Sequence, residues 1–193
     1  MLPIGKSVIC SKIIEHLQDA EGQVVVYYFC SNRQILLRPA NDILRSFACQ
    51  LLVANTGLAP YILETYVNHG LRPTKKSLGA ILEKSITSLP SVRIVVDGVD
   101  ECPQSDQDEI IDDLLRIKGP VPGACKTLLS SQRLPNILNM LYMKPTLRLD
   151  ESFENVNLTI ASFVRPRLGN LRQKFGCEII DELGRQIVAK ANG

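Results

Sequence analysis

Two strongly apolar runs most constrain how this chain can fold: QVVVYYF at 23–29 and SVRIVVD, broken only by Arg93 before its polar end, at 91–97. Both are rich in β-branched residues and neither alternates apolar with polar, the pattern of a strand covered on both faces in a parallel sheet. A third run, CKTLLSS at 125–131, reads as another strand. Helical periodicity fills the intervals between the runs, and this alternation predicts an α/β fold with a mainly parallel sheet.

Apolar stripes and stop signals place the helices. Val8, Ile9, Ile13, Ile14 and Leu17 predict a helix over 6–18, closed by Gly22. Asn41 is positioned to cap a helix bearing Ile43, Leu44, Phe47, Leu51 and Leu52, and a second helical stretch covers 60–68. Thr74 is positioned to cap a third helix, with Leu78, Ile81, Leu82 and Leu89 as its stripe. An acidic amphipathic helix is expected over 105–117, with Ile110, Ile111, Leu114 and Leu115 inward, then a short helix over 135–141 and a weaker strand over 145–149. Residues 155–174 and 178–190 read as helical, with Pro166 kinking the first of these. No strand pattern returns after 150, so the expected organisation is a core over 1–150 and the start of a helical subdomain over 151–193.

Composition removes several function classes. The 193 residues suit one ordinary domain, and 45% apolar with 22% charged residues is a globular composition. A formal net charge of +2 gives no reason to expect a nucleic-acid or membrane partner. No apolar run approaches the ~20 residues of a transmembrane helix, and no secretory signal is read at the start, so a cytoplasmic address is expected. Cysteines 10, 30, 49, 102, 125 and 177 lack metal-ligand spacing and are expected as buried reduced thiols. His16 and His69 stand near no nucleophile, which argues against a Ser/His/Asp or Cys/His hydrolase. Arg165, Arg167, Arg172 and Lys174 have no interleaved aromatic platform and read as a solvated helical face.

Three places carry chemistry. Gly5, Lys6 and Ser7 open the first helix as the G-K-S end of a phosphate loop. Backbone N–H groups at such a helix start face phosphate oxygens, the Lys ammonium reaches the β and γ phosphates, and the Ser hydroxyl binds Mg2+. The first glycine of that motif would fall one residue before Met1, the preceding strand is absent, and Pro3 and Ile4 occupy the loop. About ninety residues later, RIVVDGVDE at 93–101 is an apolar strand ending in Asp97, followed by Gly98, Asp100 and Glu101. A carboxylate at a strand end can hold Mg2+ and a nearby acid can orient or deprotonate an attacking water, the arrangement of a Walker B strand. Past the third strand, Ser131 and Arg133 could sense the γ phosphate. Taken singly, each place also has a purely structural reading: a helix start, an acidic D-G turn, a solvated arginine.

Together these residues resemble the NACHT domains of STAND P-loop NTPases, of the fungal nephrocystin-like N-terminal type. The resemblance is carried by GKSVICSKIIEHL at 5–17, VVVYYFC at 24–30, NDILRSFACQLL at 41–52, RIVVDGVDEC at 93–102 and KTLLSSQR at 126–133, and it reaches the C-terminal end through FENVNLTIASFVRPRL and EIIDELGRQIVAKANG. It implies a P-loop NTPase of ASCE/STAND type: a parallel sheet flanked by helices, here with its first strand missing, followed by a small helical portion. By the same resemblance Gly5, Lys6, Ser7 and Ser131 bind ATP or GTP, Ser7 and Asp97 hold Mg2+, Glu101 or Asp100 handles water, and Arg133 acts as a sensor. The implied setting is a cytoplasmic switch between an effector domain and repeats in a longer protein, with self-association as a further expectation.

The competing expectation is a non-hydrolysing remnant that contacts related proteins. A small-molecule phosphotransferase is disfavoured by the DGVDE arrangement.

Overall fold

The computed structural model describes residues 6–31, 39–68 and 74–148, and beyond them 168, 178, 180–183 and 186. Its elements run α1 (Lys6–Gln18), β1 (Val24–Phe29), α2 (Pro39–Ala54), a 3-10 turn, α3 (Ala59–Ile62) continuing into a π turn, α4 (Lys75–Thr87), β2 (Val92–Asp97), the 3-10 turn Val99–Glu101, α5 (Gln104–Arg116), β3 (Cys125–Ser130) and α6 (Pro135–Met140). All of them belong to one compact unit, Gly5–Tyr142, while residues 143–193 fall in a second.

The three strands are parallel in the order β1-β2-β3, which confirms the α/β class and the parallel sheet. Side chains alternate between faces with a period of two. On one face Val26, Val92, Ile94 and Val96 pack with Phe47 and Leu51 of α2, Leu82 of α4 and Ile110 of α5. The other face carries Val95, which packs on Cys10 and Ile14 of α1 with Val25, Phe29 and Leu128 beside it. Each large side chain removed from water in this way is worth about 1.5–3 kcal/mol, so α1 is fixed to the sheet by a small second core.

The central strand is buried throughout except at the partly exposed Arg93, as its sequence predicts. β1 departs from expectation: only Val26 is fully buried and Tyr27 is exposed. Position explains the difference, because β1 ends the described sheet and has a free edge. The Gln50 carboxamide covers part of that edge, donating to Tyr27 O at 2.8 Å and accepting from Tyr27 N at 3.0 Å. Such coverage satisfies backbone groups that would otherwise template another strand.

Thr74 caps α4 as expected, in a reciprocal box: Thr74 Oγ1 accepts from Ser77 N at 3.2 Å and Ser77 Oγ accepts from Thr74 N at 2.8 Å. Asn41 does not cap α2. That helix begins at Pro39, whose fixed φ and missing N–H suit a first turn, and Asn41 lies inside it. The strand expected over 145–149 is corrected for 145–148, which are irregular and exposed. Position 149 and nearly all of the two helices expected after 150 lie outside the described residues. Cys10, Cys30 and Cys102 are buried, but Cys49 is exposed on the outer side of α2, between the inward positions Ala48 and Leu51. No single helix among the described residues is long and apolar enough to cross a membrane.

Candidate functional site at the strand ends

Parallel strands bring their C-terminal ends to one edge, and the register aligns Phe29, Asp97 and Ser130 there. Ligands of open α/β sheets bind at that edge. Asp97 lies two residues after Val95 and so shares the face covered by α1, which directs its carboxylate at the start of that helix. Ser7 Oγ donates a hydrogen bond to Asp97 Oδ2 across 90 positions of sequence. One turn further along α1, Cys10 Sγ is a weak donor to Oδ1 at 3.5 Å. Asp97 is 4% exposed, and the helix start adds partial positive charge beside it. Burial first, and the Asp97 carboxylate second, push the Cys10 thiol up to about 11.

Gly98 then reverses the chain. Its φ of 76° lies in the left-handed region that L side chains avoid, and the backbone enters the turn that carries Asp100 and Glu101. Asp100 comes back to face α1: Lys6 Nζ lies 3.6 Å from its Oδ1, with the two side chains 24% and 6% exposed. The Gln132 amide, in the loop after β3, donates to the same oxygen at 2.9 Å. Glu101 is partly buried at the end of the turn, with Oε1 3.5 Å from the place where a Cβ on Gly98 would stand.

Beneath this turn sits a residue that the sequence did not single out. Gln107 of α5 is 3% exposed, donates to Cys102 O at 2.9 Å and Asp100 O at 3.4 Å, and accepts from Asn136 Nδ2 of α6 at 3.0 Å. A signal was present: position 107 continues the inward stripe of Ile110, Ile111 and Leu114, and a polar residue on such a stripe needs partners. Cys10 was likewise readable as a site neighbour, three positions after Ser7 on one helix face.

The structure therefore gathers Lys6, Ser7, Asp97 and Asp100, with Glu101 adjoining. Ser131 and Arg133 follow β3 but are arranged differently: Ser131 Oγ donates to Gln132 O at 2.6 Å, and Arg133 is exposed. Gly5, Pro3 and Ile4 lie outside the described residues. No group of three or more His, Cys, Asp or Glu side chains converges as a metal cluster among the described residues. Two shallow depressions, one over the acidic face of α5 beside Lys75 and one along β1 at Tyr27 and Gln50, lie away from the site.

A family model described as nephrocystin 3, N-terminal, matches residues 3–132, about two thirds of the chain and all of the gathered site. The chain belongs to the nephrocystin 3 N-terminal family. No curated protein and no solved structure gives a match. The matched span ends at Gln132, so the family pattern covers both the helix that carries Lys6 and the loop residue that shares Asp100 with it.

Proposed function

We propose that this nephrocystin 3 N-terminal domain is a nucleotide-binding switch of the NACHT/STAND type. The observation that carries the reading is the meeting of Lys6 and Ser7, at the start of one helix, with Asp97 at the end of the central strand and Asp100 in the turn that follows it. That is the chemistry a triphosphate with Mg2+ needs: an ammonium for phosphate oxygens, and a hydroxyl and a carboxylate side by side for the metal. Mg2+ keeps several waters and takes phosphate oxygens, so Ser7 and Asp97 form a sufficient protein donor set, and no larger acidic cluster is required. Bound there, the metal would supply charge neutralisation for phosphoryl transfer. Lys6 would orient the phosphates and Glu101 or Asp100 would position water, with Arg133 and Ser131 supplied from the β3–α6 loop. The proposed setting is a cytoplasmic signalling protein in which effector and repeat domains flank this one and copies self-associate.

Titration with fluorescent ATP and GTP in the presence of Mg2+, together with phosphate release, tests the reading. Wild type is expected to bind one of them, and Lys6→Ala to bind at least about tenfold more weakly, the loss of one charge-assisted contact. Equal binding by both proteins would remove the switch. Binding without phosphate release would favour the non-hydrolysing form, in which the domain works through contacts with related proteins.

A further inference from the structure

One carboxylate oxygen serves two separate elements. Asp100 Oδ1 lies 3.6 Å from Lys6 Nζ at the start of α1, and it accepts the Gln132 amide hydrogen, in the loop before α6, at 2.9 Å. The Asp100 side chain is 6% exposed, so little water reaches the carboxylate itself, while its Gln132 partner lies in an exposed loop. The Gln132 loop is tightened by Leu134 N donating to Gln132 O at 2.9 Å. A second route joins the same elements: Gln107 holds the carbonyls of Asp100 and Cys102 and accepts from Asn136 on α6. The acidic turn is thus fastened to the helix that begins with the site lysine and to the helix that follows β3.

We propose that Asp100 is a positioning residue that couples the phosphate site to α6: when Lys6 is drawn to a phosphate group, the hold of Asp100 on the Gln132 amide loosens. The inference rests on the nucleotide reading above. Among the described residues, Lys6 is the cation that faces the Asp100 carboxylate. A phosphate group is more highly charged and accepts the same ammonium protons, so it competes for Lys6 and leaves two anions facing each other. The repulsion displaces the Asp100 carboxylate, and the movable group attached to it is the exposed loop amide, since the Asp100 carbonyl is held from below by Gln107. Occupancy at α1 is read in this way at the start of α6.

Backbone amide exchange on the full chain tests the coupling without any ligand. Lys6→Met is expected to speed exchange at Gln132 by about fivefold or more while β2 amides stay protected, the pattern of a local opening and not of global unfolding. Lys6→Arg keeps the charge and is expected to stay near wild type. Saturating ATP with Mg2+ is expected to reproduce the Lys6→Met effect in wild type. In Asp100→Asn, whose neutral amide oxygen still accepts from Gln132, the nucleotide is expected to leave that exchange unchanged. Unaltered Gln132 exchange in Lys6→Met, or an equal nucleotide response in Asp100→Asn, overturns the proposal. A chain that binds neither ATP nor GTP fails the nucleotide reading, one that binds only GTP is tested with GTP in place of ATP, and the Lys6→Met comparison still decides the coupling.

Discussion

The hydroxyl of Ser7 donates to the carboxylate of Asp97, joining the first turn of α1 to the last residue of β2. This bond lies where the small second core, built on Val95, opens toward the strand ends. Ser7→Ala leaves a carboxylate that is 4% exposed with Cys10, a weak donor, as its remaining side-chain hydrogen-bond partner among the described residues. Hydrogen bonds to charged groups contribute about 1.5–3 kcal/mol, and Ser7→Ala is expected to cost an amount in that range. Urea unfolding at pH 7, with Ser7→Thr as the variant that retains a hydroxyl, measures it. Equal midpoints for wild type and Ser7→Ala would contradict the bond.

Gly98 is expected to tolerate no ordinary side chain at full stability. An alanine Cβ would meet Cys30 O at 3.4 Å, an ordinary contact, so the loss comes from φ at 76° and not from a clash. A left-handed conformation costs an L residue about 1–2 kcal/mol, which is the expected destabilisation of Gly98→Ala. Gly98→Asn is expected to lose less, because Asn enters that region more readily. Thermal unfolding of the two variants gives the order, and a reversed order would count against the conformational argument.

Where the chain's own periodicity settles a feature, the structure agrees with the sequence. The central strand, α1 and the Thr74 cap follow from local patterns of burial and hydrogen bonding. The exposure of Tyr27 could not be read in that way, since QVVVYYF looks the same whether its strand is central or outermost, and only the strand order decides. The convergence of Lys6 with Asp100 is also a product of topology: phosphate-loop and acidic-strand patterns indicated a shared site, but not which acid each residue meets. The inward stripe of α5 marks position 107 as buried, but it does not name the partners of Gln107, which come from the acidic turn and from α6 packed alongside.

Gln107→Leu preserves approximate size while removing both ends of a buried amide. The Cys102 carbonyl then loses its 2.9 Å donor, while Asn136 Nδ2 loses its 3.0 Å acceptor but keeps Asp108 Oδ1 at 3.2 Å. A buried polar group left without a partner costs about 1–3 kcal/mol, and that loss is expected for Gln107→Leu despite the gain in apolar surface. Gln107→Glu retains acceptor oxygens for Asn136 but cannot donate to Cys102 O, so it separates the two contacts. Denaturant midpoints compare them, and a Gln107→Leu protein as stable as wild type would show that the network does not support the turn.

Alkaline pH probes the Asp97 neighbourhood from the other side. The Cys10 thiol ionises near 9.0 in an unfolded chain and is pushed up to about 11 in the fold, by burial and then by Asp97. Below pH 9 both states hold the proton and the contribution to stability is complete. Between 9 and 11 the unfolded chain releases its proton first, so the native state binds more protons and stability falls as pH rises. The difference in urea midpoint between wild type and Cys10→Ala, measured with EDTA present, is therefore expected to be constant up to about pH 9 and to shift against wild type by pH 11. Tyr28 and Lys75, which are also raised, are common to both proteins and cancel in this difference. Alkylation at pH 8 supplies the second readout: exposed Cys49 reacts first and Cys10 stays protected. A pH-independent difference, or Cys10 labelling as fast as Cys49, would place the thiol outside the Asp97 contact.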